Sequence, residues 1–253
     1  MKNKLTLHLL KISVVFIMAL LFVVPAGAQT GQGVLNGIEK KIDDAFGQAF
    51  VTKKPDQLER ITKLLKEQKK SALTDYWLAY AYYLNSLYYD SMGDADEAES
   101  TLSKGMELLK SGSQSSESYA LMGTMQNYSI KFMNMLSANK AAEEATRNLS
   151  KSIRLEPKNL RGYLGLGLQD YYTPPEFGGG TKTEGLLKKA LSMPDQPTKN
   201  PTMPSWGRKE AYTTLISYYI KKKDLEKAKQ YYKEASAKYP NDYRLLSLSK
   251  DLL

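Results

Sequence analysis

The stretch YTTLISYYIKKKDLEKAKQYYKEASAKYP, residues 212–240, decides the fold. Tyr212, Leu215, Ile216 and Tyr219 share one face of a helix. After the polar turn at Lys221-Lys222-Lys223-Asp224, Ala228, Tyr232 and Ala235 do the same, and Pro240 ends the second helix. The pattern predicts two antiparallel helices, with small residues where their axes approach. No long stretch alternates as a strand would, so the fold class is all-α.

Looser versions of this pair precede it. Trp77, Leu78, Ala81, Tyr82, Leu84, Tyr88 and Tyr89 form an aromatic helix face, with Thr74 as its expected cap and Gly93-Asp94 as its turn. Ala98, Leu102, Gly105 and Leu109 make the return seam, where Ala98 and Gly105 permit close helix approach. Tyr119, Met122, Gly123, Met125, Ile130, Phe132, Met133 and Leu136 open the next pair, in a helix that is long or kinked between Asn127 and Ser129. Its methionines suit core filling or an adaptable ligand surface. Ser137 is the expected cap of the return helix, which carries Ala142, Ala145, Leu149 and Ile153. Tyr163, Leu164, Leu166, Gly167 and Leu168 begin a third pair, stopped by Pro174-Pro175 and resumed at Leu186, Leu187 and Ala190.

The two ends read differently. Lys2, Lys4 and Lys11, an apolar run from Ile12 to Val24 and Ala26-Gly27-Ala28 form a secretory signal pattern with cleavage after Ala28. An uncleaved N-terminal anchor is the rival reading. The run is short for a membrane span, so no stable transmembrane insertion is expected after cleavage. The expected location is periplasmic or secreted, in a Gram-negative bacterium. Residues 29–74 read as a linker and capping helices, 75–241 as four degenerate helix pairs, and 242–253 as a C-terminal capping helix. Ser192 to Ser205 is the longest connection, either a cover over a groove or an extended surface loop, with Trp206 at the entrance to the last pair.

Composition excludes several chemistries. The chain has no cysteine, and its one histidine, His8, lies in the expected signal segment. Disulfides, a His/Cys metal centre and histidine-based nucleophilic triads are therefore excluded from the mature chain. Losing Lys2, Lys4 and Lys11 takes the formal charge from +9 to +6, too mild for a nucleic-acid footprint. Adjacent carboxylates at Asp43-Asp44 and Glu143-Glu144 point in different helical directions and make no general acid–base pair. No cofactor and no catalytic residue is expected. The Phe177-Gly178-Gly179-Gly180 loop lacks the lysine-serine ending and preceding strand of a phosphate loop, so glycines in left-handed turn positions are expected instead.

Residues 212–240 resemble a tetratricopeptide repeat (TPR), through Leu215, Ile216, Tyr219, Ala228, Tyr232, Ala235 and Pro240. Looser matches run through Tyr82, Gly93, Ala98 and Gly105, through Tyr119, Gly123, Ala145 and Pro157, and through Tyr163, Gly167, Leu187 and Ala190. The resemblance implies a right-handed superhelical stack of helix hairpins whose first helices line a concave groove. Carried onto this sequence, it implies groove residues Tyr80, Tyr83 and Leu87, then Arg161, Leu164, Leu168, Tyr171 and Tyr172, then Glu210, Thr213, Ser217, Ile220 and Lys221; independently of the resemblance, the placement of the glycine loop beside Tyr171, Tyr172 and Phe177 permits a binding lip. It implies a noncatalytic scaffold that binds an envelope protein or peptide. The alternative is an accessory protein holding a small molecule or lipid in an apolar pocket near Tyr171 and Phe177. Separately, Pro175-Glu176-Phe177-Gly178-Gly179-Gly180 with Leu187 and Ala190 is similar to a loop in the exported T-component of bacterial TRAP transport systems, which implies a helper role in transport.

Overall fold

The computed structural model describes residues 31–112, 114–194 and 200–252. The expected signal segment lies outside them. Twelve α-helices occur among the described residues, with no strand. They are α1 (Gly31–Leu35), α2 (Ile38–Thr52), α3 (Asp56–Lys66), α4 (Ala72–Ser91), α5 (Ala95–Ser111), α6 (Ser116–Ser129), α7 (Met135–Leu155), α8 (Leu160–Tyr172), α9 (Thr183–Ser192), α10 (Arg208–Lys221), α11 (Leu225–Lys238) and α12 (Tyr243–Leu248).

The four expected pairs form as the hairpins α4–α5, α6–α7, α8–α9 and α10–α11, each packed on the next. A further hairpin, α2–α3, precedes them and α12 closes the far end. Trp77, Leu102, Leu121, Met125, Leu149, Leu215 and Ile216 lie in the shared interior with essentially no exposure. Full burial of each such side chain contributes about 1.5–3 kcal/mol, the main source of stability in a chain without disulfides. The seams cross where small residues were expected. A Cβ added at Gly105 would sit 3.1 Å from the Ala79 carbonyl and 3.2 Å from the Tyr82 Cβ.

Side-chain caps fix the helix starts. Ser71, Asp94, Ser115, Asn134, Asn159, Asp224 and Asp242 each accept a bond from a backbone N–H in the first turn. Each such cap stabilises its helix by about 1 kcal/mol. Two caps differ from expectation. Ser71 rather than Thr74 caps α4, its hydroxyl accepting from the Thr74 N–H at 3.1 Å. Asn134 rather than Ser137 caps α7, accepting from the Ser137 N–H at 3.0 Å. In both cases the favoured residue lies three positions too late and supplies the bonded N–H instead.

The first helix after the linker is broken at Gly37, whose φ is +64°. The helix after Tyr119, expected to be long or kinked between Asn127 and Ser129, ends at Ser129, and a single 3-10 turn, Ile130–Phe132, leads to an extended Met133. In the α8–α9 loop, Gly178 and Gly180 take left-handed backbone angles of +84° and +76°. The α9 start is already occupied: Oδ2 of Asp170 accepts from the N–H groups of Lys182 (2.9 Å) and Thr183 (2.7 Å) and from the Thr183 hydroxyl (2.6 Å). The chain thus supplies its own anion where a phosphate would sit.

The array curls until its ends meet. The Gly37 N–H donates to the Pro201 carbonyl at 3.0 Å. Glu39 accepts from the Ser205 N–H and hydroxyl at 2.6 and 2.7 Å. The rings of Phe50 and Tyr243 lie 5.5 Å apart.

Candidate functional site

The described residues 200–207 of the α9–α10 connection turn inward. Among the described residues, 200–207 lie against the first helices of the hairpins rather than over the outer surface. The Trp77 indole N–H donates to the Thr202 carbonyl at 2.8 Å. Trp206 is buried, stacks on Tyr80 at 5.3 Å and 26°, and donates its N–H to the Tyr76 hydroxyl at 2.8 Å. Gly207 follows with φ +112°, and a Cβ there would lie 2.7 Å from Leu160. Only glycine lets the chain pass α8 this closely at that backbone angle.

Arg161 locks this segment from α8. It has no exposed surface, its guanidinium forks onto both carboxylate oxygens of Glu117 at 2.5 Å, and it donates to the Trp206 carbonyl at 2.8 Å. Burial disfavours its charge, but the Glu117 carboxylate outweighs burial and leaves Arg161 more basic than usual.

The segment divides the expected groove residues into two groups. Tyr80, Arg161 and Leu164 are buried, and Trp206 covers Tyr80 and Arg161. Leu168 and Leu87 are half-buried and packed on the core. Tyr83, Tyr171, Tyr172, Ser217 and Lys221 converge on the part of the inner face beyond the segment. Tyr171 and Tyr172 meet edge to face at 4.9 Å, and the Lys221 ammonium lies 5.6 Å over the Tyr171 ring. Tyr172 remains 74% exposed. Phe177 is also exposed, but no ring contact joins it to Tyr171 or Tyr172 among the described residues.

The structure adds partners that helical spacing did not single out. Tyr128 of α6 stands 6.0 Å from Tyr83, and its hydroxyl donates to Asp90, which also pairs with Lys131. Lys131 lies 5.5 Å over the Tyr128 ring and 5.4 Å over Phe132. Burial, then the Glu210 carboxylate and Tyr172, hold the Tyr83 hydroxyl well above its usual acidity range. Burial and the bond to Asp90 do the same for Tyr128. The inner face therefore presents neutral phenols, with ammonium groups at Lys131 and Lys221.

Next to this face, α2, α4, α10 and the α12 start line an open cavity of about 420 Å³. Asp43 lines it and accepts from the Tyr80 hydroxyl at 3.1 Å. A second cavity, about 390 Å³, lies between α5, α6 and α7 and includes Tyr119 and Arg147. Phe177 lines neither. No group of three or more His, Cys, Asp or Glu side chains among the described residues is placed to hold a metal ion. No helix among them is long and apolar enough to cross a membrane.

Burial and the neighbouring Glu210 push the Asp43 carboxyl up to about 7, against an ordinary 3.8. Between these values the unfolded chain gives up its proton while the folded chain keeps it. The associated stability is full below about pH 4 and is lost as pH rises through about 7. Asp43→Asn should remove this slope and stabilise the protein above pH 7 by about 2 kcal/mol, discounting for partial exposure. Thermal melts of both proteins at pH 4.5 and 8 check this; equal shifts at the two pH values count against it.

Two solved structures share the architecture. The thermophilic TPR protein TTC0263 of Thermus thermophilus superposes with a TM-score of 0.58 at 20% identity, over 88% of this chain and 98% of its own. The fold is TPR-like. The HusA haemophore of Porphyromonas gingivalis superposes with a TM-score of 0.53 at 21% identity, over 78% of this chain and 96% of its own. No protein-family model matches the chain, and no curated protein matches it. The comparisons support the general TPR-like fold and supply nothing for the local TRAP likeness around Phe177.

Proposed function

We propose that this protein is a noncatalytic, exported binding scaffold, whose TPR-like inner face takes a peptide or protein segment in the cell envelope. One observation carries this reading: the inner face already holds a non-helical stretch of the chain itself, turned at residues 200–203 and again at Trp206-Gly207. Residues 200–207 dock through an indole stacked on Tyr80 and through backbone carbonyls that accept from Trp77 and Arg161. Aromatic shelves for a side chain and fixed donors for carbonyls are what recognition of a non-helical peptide segment requires. Beyond that stretch, Tyr83, Tyr128, Tyr171 and Tyr172 continue the shelf, with Ser217 and Lys221 beside them.

The test is affinity capture from envelope extract, followed by titration of the purified partner. Replacing both Tyr171 and Tyr172 by alanine should weaken binding at least about tenfold, as removal of two central aromatic contacts does. Tyr172 is exposed, so the fold should survive. Undiminished binding by the double variant would sink this reading.

A compact planar ligand is the second reading. The segment at Trp206 closes one end of the inner face, which shortens the groove towards a cup, and a haemophore has the same architecture. Clustered phenols flanked by Lys131 and Lys221 suit a flat aromatic molecule with carboxylate edges. Titration with haemin, read by its absorbance, separates the two: saturable binding lost in the Tyr171/Tyr172 variant favours the cup.

A further inference from the structure

The cavity beside the inner face holds an unbalanced charge. Its charged neighbours come from three elements, and most are already paired. Lys209 of α10 pairs with Asp242 at 3.1 Å, and Arg244 pairs with Glu210 at 2.9 Å. On α2, Asp44 pairs with Lys40 at 2.5 Å, and Glu39 is held by Ser205. Asp43 is left over. Its described partner is a neutral one, the Tyr80 hydroxyl, and no cation stands within ion-pair distance of it among the described residues.

The walls around it are suited to a cation. Phe46, Tyr80 and Tyr243 line the same cavity, and ring faces attract alkylammonium and guanidinium groups. A half-buried carboxylate without a counter-ion is costly, and an incoming cation relieves that cost. At about 420 Å³ the space is at the small end of ligand sites and has room for an alkylammonium or guanidinium group with its stem.

We propose that this cavity is a binding site for a guanidinium or alkylammonium group, with the Asp43 carboxylate as its counter-ion and Phe46, Tyr80 and Tyr243 as its aromatic wall. The site is independent of the tyrosine face and stands if that reading falls. The group is carried by a free amine or by an arginine or lysine side chain of a partner.

Isothermal titration with agmatine, and separately with the capped peptide Gly-Gly-Arg-Gly-Gly, tests the proposal. Saturable binding of either probe is expected, at least tenfold weaker in Asp43→Asn and unchanged in the control Asp96→Asn, an exposed carboxylate on α5 outside the cavity. Tighter binding of the peptide assigns the site to a side chain; tighter binding of agmatine assigns it to a free amine. Because the Asp43 carboxyl sits at about 7, binding near pH 7 should also release a fraction of a proton. The measured heat should then depend on buffer ionisation at pH 7 and not at pH 9. No saturable binding of either probe, or equal binding by Asp43→Asn, overturns the proposal.

Discussion

Arg161→Ala is expected to destabilise the protein by about 3–5 kcal/mol, the usual cost of removing one partner from a buried ion pair. The loss has three parts. The Glu117 carboxylate, whose side chain is 17% exposed, is left without its counter-ion. The Trp206 carbonyl loses its donor. The indole loses the guanidinium that lies 5.6 Å from its ring. Arg161→Lys keeps the charge but loses the fork, so it should fall between wild type and Arg161→Ala. Urea unfolding monitored by circular dichroism measures the effect, with the midpoint shifting at constant slope. A shift below about 1 kcal/mol would show that the pair is solvated in solution.

Trp206→Ala should cost a comparable amount, about 3–5 kcal/mol, because it empties a large buried site and leaves the Tyr76 hydroxyl without its donor. For a chain of this length that lowers Tm by roughly 10 °C. Trp206→Phe keeps a ring on Tyr80 but loses the N–H bond, and should cost about 1–2 kcal/mol. Arg161 and Trp206 touch, so their effects should not add; the double alanine variant should lose less than the sum of the singles. Differential scanning calorimetry of the four proteins decides this. Simple additivity would mean that Arg161 does not hold the Trp206 segment.

The same two residues show what the sequence could and could not reveal. Helix pairs were legible because Leu215, Ile216, Ala228 and Ala235 repeat at helical spacing, and burial of that face is a local requirement. The close crossing at Gly105 was legible for the same reason. Tyr80 and Tyr83 could not be told apart. They are three residues apart on one helix and of one type, yet Trp206 covers Tyr80 while Tyr83 borders the open face. What separates them is where a proline-rich connection lands, and no periodicity in residues 192–205 encodes that. The cap errors at Thr74 and Ser137 have another cause. Several cap-competent residues stand close together there, and the spacing of core residues fixes a helix start only to within a turn. Asp43 was visible as one of two adjacent carboxylates, but its isolation depends on Lys209 and Arg244 being engaged elsewhere, a tertiary fact.

The meeting of Gly37 with Pro201, Glu39 with Ser205 and Phe50 with Tyr243 bears on how the molecule comes apart. An open solenoid frays from its termini, since each unit touches only its neighbours. Here the first and last units brace one another across more than 150 intervening residues. Unzipping from either end must break that clasp first. The chain should therefore melt in one concerted step, and close its ring late and slowly when it refolds.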